Sequence, residues 1–236
     1  MSLENRVALV TGAGSGLGRA VARAYARAQA QVFLLGSRLE SLKETDDLIR
    51  QDGGKAGIVL LNLETELHRV PEMVKALFER FGRLDVLVNA AATAGPRTPL
   101  YAHCPADWEA VLRVNLSAPF FLTRELLPLL QQSSSGSVIQ VVCEEGVKAS
   151  PFRGAYGASK AALLHMTRTW AVESASTGIR MNAVDPGPMA TRLRAKVFPG
   201  EDVTHLPQPE SVTDLFLHLA SDVSRTVHGE LLHVMK

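Results

Sequence analysis

The stretch Thr11-Gly12-Ala13-Gly14-Ser15-Gly16-Leu17-Gly18 constrains this chain more than any other. It follows an apolar run, Val7 to Val10, and opens onto an alanine-rich helical pattern that begins near Gly16. A buried strand, a turn of glycine and small residues, and a helix N-terminus together aim backbone N–H groups at one point. That arrangement suits an anion, and pyrophosphate in particular. The spacing is Gly-x-x-x-Gly-x-Gly after a threonine, and not the commoner Gly-x-Gly-x-x-Gly.

The remaining periodicity extends this local unit into a fold. Seven apolar segments read as strands: Val7–Val10, Gln31–Leu35, Ala56–Leu61, Leu84–Val88, Gly136–Val142, Arg180–Val184 and Glu230–Val234. Most are too continuously apolar for a sheet with one wet face. Helical patterns lie between them at Leu17–Gln29, Leu39–Gln51, Glu66–Phe81, Ala106–Gln131, Ala155–Ser176 and Ser211–Ala220. Alternation of this kind predicts a doubly wound α/β domain, a parallel sheet with right-handed crossovers and helices on both faces. Ligands then bind at the carboxyl ends of the strands, where strand order reverses. The proline-rich segment 186–209, between the sixth strand and the last helix, is either a substrate lid or an ordinary surface connection.

At 236 residues the chain fits one such domain. A net charge of +1 gives no electrostatic case for nucleic acid or an anionic membrane, and no apolar run is long enough to span a bilayer. Small, weakly charged molecules are the expected ligands. The two cysteines, Cys104 and Cys143, have no metal spacing and suit a reducing compartment, so a cytoplasmic location is expected. His165 and His218 lie within helical patterns without a second ligand at metal spacing, and no metal site is expected.

Tyr156 and Lys160 lie four apart at the start of a helical pattern, so both side chains share one face. A free phenol titrates near ~10, too high for proton exchange at neutral pH, and a neighbouring ammonium lowers that value. With the glycine turn, with Asn115 in Val114-Asn115-Leu116, and with Pro186-Gly187 followed by Thr191, this pair resembles the short-chain dehydrogenase/reductase family over essentially the whole chain. The resemblance implies a Rossmann-like single domain that binds NAD(P)(H) and moves a hydride between nicotinamide and a carbonyl or alcohol. It implies that Tyr156 is the general acid/base and that Lys160 binds the nicotinamide ribose and tunes Tyr156. Asn115 would hold a water in a proton relay. Thr11, Gly12, Gly14, Ser15, Gly16, Leu17 and Gly18 would cradle the pyrophosphate, with Asn62, Leu63, Asn89 and Ala90 toward the adenosine. Pro186, Gly187 and Thr191 would meet the nicotinamide.

The chain departs from the family pattern at two places. The serine that usually polarises the substrate carbonyl, about thirteen residues before the tyrosine, is replaced by Cys143. A thiol is a weaker donor, and a thiolate formed beside Lys160 would repel an alkoxide, so slow chemistry on simple ketones is expected. Cys143 also reads as a small strand-end residue without a role. The family's Asn-Asn-Ala-Gly appears as Asn89-Ala90-Ala91-Ala92, which requires a negative φ or spare room at Ala92. A non-catalytic cofactor-binding protein is the alternative that these departures motivate, and Glu144 is the one nearby carboxylate available for different chemistry.

At the end of the second strand stands Gly36-Ser37-Arg38, with no carboxylate to accept from a ribose 2′-hydroxyl. Arg38 and Ser37 can bind a 2′-phosphate, which favours NADP(H) over NAD(H). Arg153, three residues before Tyr156, either draws an acidic substrate or sits at the rim, and Glu144 and Glu145 oppose such a substrate. Phe120, Phe121, Leu122, Leu163, Leu164, Met166 and Trp170 give two helices apolar residues on more than one face. A homodimer or homotetramer is therefore expected.

Overall fold

The computed structural model describes residues 1–234. Strands β1 (Val7–Thr11), β2 (Gln31–Gly36), β3 (Lys55–Leu60), β4 (Val86–Asn89), β5 (Ser137–Val141), β6 (Arg180–Asp185) and β7 (Leu231–His233) form one sheet in the order β3-β2-β1-β4-β5-β6-β7. Every neighbouring pair is parallel. Strand order reverses between β1 and β4, whose registers meet at Val10 opposite Val88. The crevice of the fold therefore opens at the carboxyl ends of those two strands.

Two-residue alternation divides the core between the sheet faces. Ala8 and Val10 point into one apolar cluster with Val21, Ala22 and Tyr25 of α1 (Gly16–Arg27) and Leu42 and Ile49 of α2 (Leu39–Gln51). Val7 and Leu9 point into the other, against Met73 and Leu77 of α3 (Val70–Phe81). Both faces of β1 are covered, which is why its sequence is continuously apolar. A buried carboxylate anchors the amino ends of the central strands. Asp85 accepts from the Val7 backbone N–H at 2.8 Å, from Arg83 Nε at 3.2 Å and from the Ser133 hydroxyl at 2.5 Å.

The structure corrects two expectations about the elements. The pattern from Ala106 to Gln131 is helical throughout but not uniformly α: α4 (Pro105–Leu112) and α5 (Ala118–Gln131) are joined by a π-helical turn, Arg113–Ser117. Pro119 has no N–H to donate to the Asn115 carbonyl four residues earlier, so the ordinary ladder cannot run through this point. The segment 186–209 is also more regular than its prolines suggest. It holds a short helix, α7 (Arg192–Val197), capped by the Thr191 hydroxyl accepting from Arg194 N at 3.2 Å, and Ala190 N donates to Pro207 O at 2.9 Å to draw its ends together. The remaining helices are α6 (Gly154–Glu173) and α8 (Thr213–Ala220), and α8 closes the first cluster with Phe216 and Leu219. No helix among the described residues is long and apolar enough to cross a membrane.

The approach of α1 to the turn after β1 is a close backbone-to-backbone contact. A Cβ at Gly18 would lie 2.7 Å from the Gly12 carbonyl carbon and closer still to its oxygen. The neighbour is backbone, so it cannot rotate away. Gly18→Ala is expected to cost about 2–3 kcal/mol in urea-unfolding stability and to weaken nucleotide binding, because relief of the clash must move α1 away from the turn.

Candidate active site at the carboxyl ends of the strands

The glycine turn and the ends of β2, β3 and β4 converge on a cleft of about 250 Å³. Gly12, Gly14, Ser15, Ser37, Arg38, Asn62 and Leu63 all line it, as the sequence predicts. Gly12 has a φ of +67°, and a side chain there would come 2.9 Å from Ala91 Cα. Ser15 is the extended residue before α1, and Gly16, at φ +51°, faces the Thr191 methyl group. Thr11 accepts from Ala91 N at 3.0 Å through its hydroxyl, which ties the turn to the end of β4. Leu17 is buried in the first cluster, so only its backbone can face the cleft. Ala90 packs against the same cluster.

Asn89, at the end of β4, is buried and leaves both side-chain amide atoms without a hydrogen-bond partner. Asn62 is partly committed, its side-chain oxygen accepting from Glu64 N at 2.9 Å. Arg38 is exposed and makes no ion pair or side-chain hydrogen bond among the described residues, whereas Arg19 and Arg50 nearby are paired with Glu44 and Asp46. Ser41, Leu42, Glu64, Ala91, Thr93 and Val114 also line the cleft and were not singled out in the sequence. Ala91 and Thr93 could have been found from their place just after Asn89, but Ser41 and Val114 arrive by helix packing and carry no local signal. Ala92 is not among the residues with positive φ, so the missing family glycine imposes no strain.

A second group of side chains lies at the start of α6. Tyr156 and Lys160 share a helix face and are both buried, with Lys160 Nζ 5.8 Å from the Tyr156 ring centre and donating to Val141 O at 2.7 Å. Asn115 is fully buried in the π turn. Its side chain accepts from Thr93 N at 2.8 Å and donates to Thr93 O at 2.9 Å and to the Ser159 hydroxyl at 3.1 Å. Ser159 in turn donates to Tyr156 O at 2.7 Å, so Asn115 holds the loop after β4 against α6. The Cys143 thiol faces the Tyr156 hydroxyl and Glu145. At the end of β6 Pro186 is buried and Gly187 is exposed, and Gly187 N donates to Asp185 at 2.9 Å.

The charges here differ from expectation. Burial pushes the Cys143 thiol up to about 12, more than Lys160 offsets, so the thiolate considered from sequence does not form. Burial likewise lifts the Tyr156 phenol above its usual range, with Cys143 and Glu145 adding to the rise. Arg153, whose guanidinium lies 4.2 Å over the ring, opposes this rise. Lys160 is itself lowered to about 8 by burial. Glu144 is exposed, and the carboxylate that turns inward is Glu145. Above this group, Val197 and Phe198 of the 186–209 segment pack with Tyr156, Ala94 and Cys143.

A buried tyrosine and lysine on one helix face, beside a cleft with a glycine turn at its far end, matches an established group of enzymes. The sequence pattern of the short chain dehydrogenases matches residues 6–202. The chain is 35% identical to the 3-oxoacyl-[acyl-carrier-protein] reductase FabG of Thermotoga maritima, over 99% of this chain and 98% of that protein. Among solved structures, a short chain dehydrogenase from Pseudomonas syringae superposes with a TM-score of 0.95 at 39% identity, covering 98% of this chain and 95% of that one. One from Shigella flexneri, complexed with NADP, superposes at 0.94 with 34% identity, covering 98% and 97%. The chain belongs to the short-chain dehydrogenase/reductase family and is an oxidoreductase of that type.

Proposed function

We propose that the protein interconverts a small carbonyl compound and its alcohol with NADP(H), and that Tyr156 is the proton donor and acceptor. The observation that carries this reading is the buried pair of Tyr156 and Lys160 on one face of α6, next to a cleft that begins at the glycine turn. The cleft fits a dinucleotide. Gly12 and Gly14 line it with backbone alone, and behind Ala91 of its wall the buried amide of Asn89 has a donor and an acceptor without partners. Ser37 and the free guanidinium of Arg38 would take a 2′-phosphate, while Ser15 and the first turn of α1 would face the pyrophosphate. The NADP complex of the Shigella relative supports the same choice of cofactor.

When bound, NADPH would be the source of the hydride that reduces the carbonyl carbon. The oxygen then carries the negative charge, and the Tyr156 hydroxyl gives it a proton, which leaves an alcohol and a phenolate. A raised phenol stays protonated through the neutral range, so Tyr156 holds that proton ready for reduction. Arg153 over the ring and Lys160 on the next helical turn stabilise the phenolate once it forms. The neutral Cys143 thiol remains a hydrogen-bond donor beside the reacting oxygen, so the exchange for serine weakens polarisation without supplying a repelling charge. Asn115 acts by position, since its amide is already engaged with Thr93 and Ser159. Residues 186–209 serve as a lid: Tyr156 is only 8% exposed beneath Val197 and Phe198, and these must lift for substrate to reach it. Phe120 and Phe121, both partly exposed, stack on each other, and Phe120 also meets Trp170, which gives α5 and α6 an apolar strip suited to a two-fold dimer.

Three outcomes are expected. Against a panel of aldehydes, ketones and quinones, NADPH oxidation should fall about 10²–10⁴-fold in Tyr156→Phe and rise about tenfold or more in Cys143→Ser. Rates equal to the native chain in both variants would overturn the roles given to both residues. Arg38→Ala should lower the ratio of NADPH to NADH affinity, measured by fluorescence titration, by about tenfold or more; an unchanged ratio would remove Arg38 from cofactor choice. The third outcome concerns stability. Lys160 titrates at about 8 when folded against 10.5 normally, so the unfolded chain binds more protons between those values. Stability therefore rises as pH climbs from about 8 to 10.5, with Lys160 charged at a cost below that window. Urea unfolding of Lys160→Met should lack this rise, and the comparison cancels the opposing ionisation of Cys143 in the unfolded chain.

A further inference from the structure

Arg153 is buried without the hydrogen bonds that a buried guanidinium requires. It precedes α6, its side chain is only 7% exposed, and its Nε and Nη1 have no hydrogen-bond partner. Its one charged neighbour is Glu145, whose Oε1 is 3.5 Å from Nε. Other cations in the same place are better served. Arg97 and Arg194 also lie on Phe198, yet Arg97 donates to Val197 O at 3.1 Å and Arg194 makes two bonds of 2.6 Å to Glu201. A guanidinium carries five donors in a fixed fork, and leaving them unmade in the interior is costly. The residue before it, Phe152, adopts a φ of +61°, which a bulky side chain rarely does.

The position of these spare donors defines what could use them. The guanidinium lies 4.2 Å over the Tyr156 ring and 6.0 Å from the Phe198 ring of the lid, so it sits beside the reacting oxygen and beneath the cover. A neighbouring cleft of about 500 Å³, lined by Phe152, Val197, Arg97 and Lys196, gives the approach a positive rim. We propose that Arg153 recognises a carboxylate on the substrate, and hence that the enzyme works on short oxo acids and the matching hydroxy acids. This rests on the reading of Tyr156 as proton donor. A planar carboxylate fits the fork with two parallel bonds. Glu145 lies against the Nε edge at 3.5 Å without a hydrogen bond, so the substrate carboxylate takes the Nη1 edge, and the Glu145 charge disfavours a phosphate dianion more than a monoanion.

The test uses the whole enzyme and three probes, pyruvate, acetoacetate and levulinate, each beside its neutral methyl ester. For the native chain, Arg153→Met and Arg153→Lys, the ratio of kcat/KM for acid over ester is measured with NADPH. Binding of the acids in the presence of NADP is measured separately by calorimetry. The native chain should prefer the acids. In Arg153→Met the ratio should fall about 30-fold or more, mainly through KM, with Arg153→Lys between the two. Retained NADPH binding and an unshifted melting temperature exclude a folding defect, and if the Met variant does not fold, the Lys variant carries the comparison. Arg153-dependent binding of acids without turnover upholds the carboxylate site and overturns the hydride-transfer reading. Reduction of esters with no binding of acids, an unchanged ratio, or neither binding nor turnover overturns the carboxylate site.

Discussion

The contact between Gly18 and the Gly12 carbonyl sets where everything else in the site can be. With no side chain at either position, α1 starts directly against the turn after β1, and its first N–H groups face the crevice between β1 and β4. The same closeness lets Thr11 hold Ala91 and so fixes the end of β4. From β4 the chain passes through Thr93, which Asn115 holds in both directions, and Asn115 reaches Ser159 one turn beyond Tyr156. A continuous run of backbone and amide contacts thus links the nucleotide end of the cleft to the catalytic end.

At the catalytic end, burial is the dominant physical term. It raises the Tyr156 phenol and the Cys143 thiol and lowers Lys160, so each group is pushed toward its neutral form. A site in this condition stores protons on oxygen and sulfur. Arg153 opposes this trend at Tyr156, and it is balanced by Glu145 at a distance too long for a good hydrogen bond. Val197 and Phe198 pack over the group and keep water from it.

The character of the Cys143 thiol follows from this setting. Beside a solvent-exposed lysine a thiol could ionise, but with burial and Glu145 acting together it stays neutral. Cys143 is therefore a neutral, weak donor, and Ala92 carries no positive-φ strain.

Much of this architecture was legible in the chain. Periodicity specified seven parallel strands and their helices, because strands covered on both faces must be apolar throughout. The glycine turn and the four-residue step from Tyr156 to Lys160 are local in sequence and survive folding unchanged. The π turn in the long helix was also written there, in Pro119, although the apolar pattern concealed it. Whether Glu144 or Glu145 turns inward, which cation reaches Tyr156, and whether Cys143 ionises were decided only by tertiary structure. Those outcomes depend on distance and desolvation among residues from the loop after β5, the start of α6 and the 186–209 segment. Linear order carries neither quantity, since a charge acquires its effect from what excludes water around it.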